Sequence, residues 1–141
     1  MAMPLCDVRI VELGDVIVGP LAAALLSDFG AEVIKVEAPD RGDMLRDLGP
    51  KGRDGIGVCW KTLARNKRIL TLDWKTNAGR EVLAKLIENA DVLVENFRSS
   101  VLDRAGIGPE VLNEWNADLV ILRATGRMGR NRGFQTLEPI H

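Results

Sequence analysis

Only one histidine, at the last position, no tyrosine and three serines (Ser27, Ser99, Ser100) occur in this 141-residue chain. With His141 alone, neither a Ser-His-Asp nor a Cys-His system can be assembled from it, and a histidine-based metal site is excluded with them. No metal is expected. Cysteine is almost as scarce: Cys6 falls in a strand-edge context and Cys59 in a helical one. Both read as buried structural thiols rather than a disulfide or a reactive pair. The longest apolar run, 16–26, is broken by Gly19 and Pro20 and is too short to span a bilayer. Met1-Ala2-Met3-Pro4-Leu5-Cys6-Asp7 lacks the basic start and apolar core of a secretory signal. A cytoplasmic chain without membrane association is expected. An excess of one charge is missing too, since 19 Lys+Arg face 20 Asp+Glu for a net charge of -1. No global basic field exists to bind nucleic acid or an anionic surface.

What is present is ordinary globular composition, 46% hydrophobic and 28% charged, with 14 Gly and 6 Pro. A chain of this length buries one core and is too short for two. Its periodicity alternates. Residues 8–13 form an apolar strand closed by Gly14-Asp15, Pro20 sits where a helix can start, and 21–29 continue as an Ala/Leu-rich helix stopped by Gly30. Residues 32–37 are a second strand, so the first two strands should be parallel through a helical crossover. Residues 38–53, rich in Pro, Gly, Asp and Arg, read as an extended surface loop. A third strand at 69–73, a helix over 78–90 capped by Thr76, and a fourth strand at 91–95 follow. Short helices at 101–104 and 109–115 lead to a fifth strand at 119–122. The fold expected is α/β, a Rossmann-like, mainly parallel sheet with flanking helices. Residues 1–125 are read as its one domain and 126–141 as a divergent Gly/Arg-rich tail, so the chain reads as truncated before its fold is finished.

Several segments admit two readings. Residues 14–20 form a strand-to-helix turn of the kind that binds ligands in open parallel sheets. They lack the G-x-G-x-x-G fingerprint, however, and Gly14 and Gly19 are equally well structural. Arg41-Gly42-Asp43-Met44 with Arg46 reads as solvated surface. Lys61, Arg65, Lys67 and Arg68 form a basic cluster before the third strand. Lys75 and the exit Glu95-Asn96-Phe97-Arg98 are expected at the carboxyl ends of neighbouring strands. A ring, an amide and cations at one edge suit a flat base carrying phosphates. The carboxylates Asp73, Asp91 and Glu95 read as caps or surface groups, and no catalytic pair stands out.

Five ordered blocks carry a resemblance. They are Val11-Glu12-Leu13 with Gly19-Pro20; Asp28-Phe29-Gly30-Ala31-Glu32-Val33-Ile34-Lys35-Val36-Glu37; Gly42-Asp43-Met44 with Arg46; Asn66-Lys67-Arg68 through Leu70-Thr71-Leu72-Asp73 to Lys75; and Asp91-Val92-Leu93-Val94-Glu95-Asn96-Phe97-Arg98. In this order and spacing, over about residues 5 to 125, the chain resembles the class III CoA-transferases. That family groups formyl-CoA and carnitine-CoA transferases with the methylacyl-CoA racemases.

The resemblance implies an N-terminal, CoA-binding half of a much longer chain that interlocks with a second copy into a homodimer. Coenzyme A or acyl-CoA would be the substrate, with a small carboxylic acid as its partner. CoA contacts would map onto the backbone of Val16 and Ile17, and onto Leu72, Lys75, Asn96, Phe97 and Arg104. Lys75 and Arg104 would neutralise phosphates, while Leu72 and Phe97 would border the adenine or the pantetheine. Where the family often carries a basic residue this chain has Ala38, so the resemblance implies that one phosphate contact is either weakened or shifted to Arg41. Ile17 replaces a glutamine found beside some family active sites, which argues against formyl-CoA transferase itself. The family's nucleophilic aspartate, which carries CoA transiently, is expected beyond His141. Thr125-Gly126-Arg127-Met128-Gly129-Arg130 departs from the usual glycine-rich run. Two other readings stay open: a catalytically inactive CoA- or nucleotide-binding module or decayed gene product, and the racemase branch.

Overall fold

Residues 2–98 and 101–124 are described by a computed structural model. Five short strands, β1 (Arg9–Glu12), β2 (Glu32–Glu37), β3 (Lys67–Thr71), β4 (Val92–Glu95) and β5 (Val120–Arg123), alternate with helices. The helices are α1 (Val18–Asp28), α2 (Val58–Leu63), α3 (Asn77–Glu88), α4 (Val101–Arg104) and α5 (Pro109–Trp115), with a 3-10 turn at Met44–Arg46. All strand pairs are parallel and the order is β3-β2-β1-β4-β5. The expected parallel α/β sheet is the one observed.

Topology follows from the handedness of the crossovers. From β1 the chain steps outward to β2 and then β3, which puts α1 and α2 on one face. It then returns past β2 and β1 to β4 and continues to β5, so α3 to α5 cover the other face. The reversal falls between β1 and β4, the place where open α/β sheets bind ligands. Strand alternation assigns the side chains. Val11, Val36 and Leu93 pack with Leu83, Ile87 and Leu112 under α3 to α5, while Ile10, Val33 and Val94 pack with Ala23 under α1.

Local signals account for some of the element ends. The Thr76 hydroxyl accepts the Gly79 N–H at 3.0 Å, capping α3 where the sequence placed a cap. Pro20 is the third residue of α1, still inside the first turn, where its missing N–H costs nothing.

Four expectations are corrected. Cys6 and Cys59 are free and exposed, because one lies in the turn before β1 and the other on the short surface helix α2. Strands β3 and β4 are not neighbours, since β2 and β1 lie between them. The segment 38–53 is not simply an extended surface loop: Asp43 and Leu45 are buried and the 3-10 turn is capped by Asp43, whose side chain accepts the Leu45 N–H at 2.9 Å. Glu95 is buried as well, accepting from Phe97 N–H at 2.8 Å and pairing with Arg123. The sequence reading of the tail, 126–141, lies outside the described residues.

Candidate functional site

The carboxyl ends of β1 and β4 are stitched together by one amide. Asn96, directly after β4, donates through Nδ2 to the Asp15 carbonyl at 2.7 Å and accepts the Asp15 N–H through Oδ1 at 2.9 Å. This two-point clamp needs room. A Cβ on Gly14 would lie 2.9 Å from Asn96 Oδ1 and 3.2 Å from the Gly19 Cα, so any larger residue there would push Asn96 out of its clamp. Gly14 and Gly19 are therefore explained by packing around Asn96, without a ligand.

Val16, next in the turn, has φ 68°, a left-handed conformation that a β-branched residue adopts only under constraint. Such strain costs about 1–3 kcal/mol and must be offset by its surroundings. Ile17 then stands at the N-cap of α1 with no side-chain hydrogen bond to the first turn. The amino end of α1 thus lacks the usual Ser, Thr, Asp or Asn partner, and its first N–H groups suit an anion. Ile17 itself is half-exposed.

Below the turn lies a set of buried charges. Lys35 Nζ donates to Glu12 Oε1 at 2.9 Å and to the Gly14 carbonyl at 2.6 Å, and pairs with Asp43 Oδ2 at 2.8 Å. Lys67 Nζ donates to the other oxygen of Glu12 at 2.6 Å and to the Pro20 carbonyl at 2.7 Å. Asp43 Oδ1 accepts from Leu45 N–H at 2.9 Å and from Val16 N–H at 3.3 Å. Two lysines balance two carboxylates, as burial requires. Burial pushes the Lys35 ammonium down, yet Glu12 and Asp43 outweigh it and hold that lysine above its ordinary value. At Lys67 burial wins, helped by repulsion from Lys35, and the lysine sits below its ordinary value despite Glu12. Asp15, at the rim, is raised by burial and then by Asp43, with Lys35 and Arg41 offsetting only part.

Further along the rim the loop after β3 reaches the exit of β4. The Trp74 and Phe97 rings lie 5.7 Å apart, although two strands separate β3 from β4. Lys75 is exposed beside them, its Nζ 5.6 Å from the Trp74 ring. Leu72 is half-buried and packs against the same core as Phe97. Six of the seven residues proposed to contact CoA therefore sit after the carboxyl ends of β1, β3 and β4: Val16 and Ile17, Leu72 and Lys75, Asn96 and Phe97. Arg104 follows no strand end and is instead the exposed last residue of α4. No hydrogen bond, ion pair or ring contact links it to the other six among the described residues.

The basic cluster expected before the third strand runs into β3, whose first two residues are Lys67 and Arg68, and is largely committed to structure. Lys67 is buried on Glu12, Lys61 pairs with Asp54, Arg65 with Asp28, and Arg68 with Glu32. The segment read as solvated surface is likewise engaged: Arg46 donates to buried Glu37 at 2.8 Å and stacks 3.7 Å above the Trp60 ring. Arg41 is exposed, 4.0 Å from Asp15. Lys75 and Arg104 carry no ion pair among the described residues, unlike the cluster. Trp74 and the buried set Glu12, Lys35, Asp43 and Lys67 were missed as parts of the site. A signal existed for the set: Glu12 and Lys35 interrupt apolar strands that a parallel sheet covers on both faces. No grouping of three or more His, Cys, Asp or Glu residues that could hold a metal ion occurs among the described residues. No helix described is long and apolar enough to cross a membrane.

Comparison with known proteins gives a consistent result. A family described as CoA-transferase family III matches residues 5–133. The chain is 43% identical over 123 residues to a succinyl-CoA–D-citramalate CoA-transferase of Chloroflexus aurantiacus, covering 87% of this chain and 31% of that protein. It is 41% identical over 126 residues to a formyl-CoA:oxalate CoA-transferase of Afipia carboxidovorans, covering 89% and 30% respectively. A CAIB/BAIF family protein from Brucella suis superposes with a TM-score of 0.80 at 36% identity, over 87% of this chain and 33% of that one. The chain thus spans about a third of the length of the relatives it matches.

Proposed function

Because the chain belongs to CoA-transferase family III, we propose that it binds the CoA part of an acyl-CoA along the carboxyl edge of its sheet, at the β1/β4 reversal. The observation that carries this reading is the convergence of three strand exits on one rim. An uncapped helix start follows Val16, an aromatic pair lies at Trp74 and Phe97, and Lys75 stands exposed beside it without an ion pair among the described residues. Coenzyme A is a flat base, several phosphates and a long pantetheine arm, and each has a physical counterpart here. Lys75 and Arg104 supply charge for phosphates. Leu72 and Phe97 supply apolar surface, and Asn96 fixes the turn whose Val16 and Ile17 backbone faces the ligand.

The reaction proposed is transfer of CoA from an acyl-CoA to a small carboxylic acid. An enzyme carboxylate attacks the thioester carbonyl and expels CoA as thiolate, forming a mixed anhydride. The thiolate attacks the enzyme's own carbonyl carbon, which releases the first acid and leaves CoA on the enzyme as a thioester. The second acid then repeats these steps in reverse order and leaves as its CoA ester. The carboxylate is an aspartate expected from the family beyond position 141. Glu12, Asp43, Glu37 and Glu95 are buried and paired, so none is poised to attack a thioester.

The 141 residues alone are accordingly proposed to bind CoA without turning it over, which joins this reading to that of an inactive binding module. Transfer is preferred to racemisation because the relatives named above are transferases. A homodimer and a cytoplasmic location belong to the same proposal. The test is calorimetric titration with CoA, beside an acyl-exchange assay with succinyl-CoA and a panel of small acids. Saturable CoA binding without exchange is expected. Failure to bind CoA overturns the site, and exchange at enzyme-like rates overturns the absence of a nucleophile.

A further inference from the structure

The turn after β1 is gripped on three successive residues by side chains from three different places. Lys35 of β2 donates to the Gly14 carbonyl at 2.6 Å, Asn96 clamps both sides of the Asp15 peptide, and Asp43 accepts the Val16 N–H at 3.3 Å. Val16 between them holds φ at 68°. We propose that Asp43, seated by Lys35, is a positioning residue that keeps the Val16 turn in its left-handed conformation and so aims the turn's backbone at the substrate. The proposal rests on the CoA-site reading above.

Both side chains are 1% exposed, so neither can touch a ligand, and any effect on binding must pass through the turn. Every carboxylate oxygen of the set is occupied. Glu12 accepts from Lys35 and Lys67, while Asp43 takes Lys35 on one oxygen and the N–H groups of Leu45 and Val16 on the other. A buried ion set is a poor route to stability alone, since apolar side chains of similar volume serve as well or better. Apolar groups cannot, however, direct an acceptor at one turn N–H and a donor at the neighbouring carbonyl. Asp43 is suited to this because both its oxygens accept. An asparagine there has one accepting end and one donating end, and the latter must face either the Lys35 ammonium or the Val16 N–H.

The test combines calorimetric titration with CoA and amide hydrogen exchange on the 141-residue chain, at a temperature where every variant is folded. Asp43→Asn is expected to weaken CoA binding about tenfold, the scale of one lost charge-assisted hydrogen bond. It should also speed exchange of the amide at position 16 while β4 amides keep their protection. Adding Val16→Gly should restore affinity to within about threefold, because glycine takes a positive φ without penalty. If Asp43→Asn does not fold, Asp43→Glu displaces the carboxylate by one methylene and is read in the same way. Unchanged affinity with unchanged exchange at position 16 overturns the proposal. So does a loss that Val16→Gly leaves uncorrected while β4 amides lose protection equally. If the wild-type chain binds no CoA but Lys75→Ala and wild type share a native exchange pattern, the site reading falls, and exchange at position 16 still decides the positioning role.

Discussion

Under α3 to α5 the sheet buries Val11, Val36 and Leu93 against other apolar side chains. Under α1 the sheet buries Ile10 and Val33 and, beside them, Glu12 at the carboxyl end of β1, Lys35 within β2 and Lys67 at the start of β3, with Asp43 closing the set. One residue of strand alternation separates the two environments: Val11 points one way and Glu12 the other. The apolar face gains stability in proportion to the area it removes from water. The charged end of the other face offers little net stability but fixes directions, and those directions converge on the turn between β1 and α1. The ligand rim lies at that end, which ties the placement of buried charge to the proposed function.

The largest effect that can test this contrast is removal of one member of the buried set. Lys35→Met leaves Glu12 and Asp43 facing each other without their shared cation, and should lower unfolding free energy by about 3–5 kcal/mol. On the apolar face Leu83→Ala should cost about 3 kcal/mol by lost burial and cavity formation. Urea melts of both variants decide the order. If Lys35→Met costs less than Leu83→Ala, the buried charges are not as tightly paired as the distances indicate.

Rim substitutions should behave differently from both. Lys75→Ala is expected to weaken CoA binding by about 1–3 kcal/mol while leaving the unfolding midpoint nearly unchanged, because its ammonium makes no ion pair among the described residues. Titration calorimetry and a thermal melt on the same sample separate the two quantities.

Asp15 gives a pH-dependent version of the contrast. Its carboxyl titrates above the ordinary value of 3.8 in the folded state, chiefly through burial and then through Asp43. The folded state then binds the proton more tightly than the unfolded state, so this group's contribution to stability falls as pH rises from 3.8 through the folded value. Asp15→Asn should therefore gain relative to wild type across that window and hold a constant advantage above it. Urea melts between pH 4 and pH 7 check the sign. The smallest effect is expected for Cys6→Ser with Cys59→Ser, both at exposed positions, which should change stability by no more than about 0.5 kcal/mol.

The sequence made the sheet legible because apolar strands and Gly, Pro and Thr signals recur in a regular alternation. Thr76, for example, marks the start of α3 by chemistry that acts within four residues. What it hid were long-range consequences. Nothing local distinguishes a basic residue that will be exposed, such as Arg68, from one drawn under α1, such as Lys67 one position earlier. The parity of β3 makes that choice, and parity depends on register with β2. Likewise the return crossover from β3 to β4 puts two strands between Trp74 and Phe97, yet the loop after β3 carries the indole back to the other ring. The short helix α2 was legible only as the helical context of Cys59, because it lacks a side-chain cap and a sufficient length of periodic sequence to mark its bounds. Lys75, Asn96 and Phe97 were legible from their places after strands, and Val16, Ile17, Leu72 and Arg104 from family resemblance, whereas the pairing within the buried set that shapes the turn comes from the geometry.

Titrating CoA into isotope-labelled protein and following backbone amide shifts tests the central claim most directly. The account expects saturable changes along residues 15–19, 72–75 and 96–98 and at Arg104, with the opposite edge around Arg9, Glu32 and Asp91 unmoved. Shifts confined to that opposite edge, or none at CoA concentrations that saturate a full-length family enzyme, would contradict it.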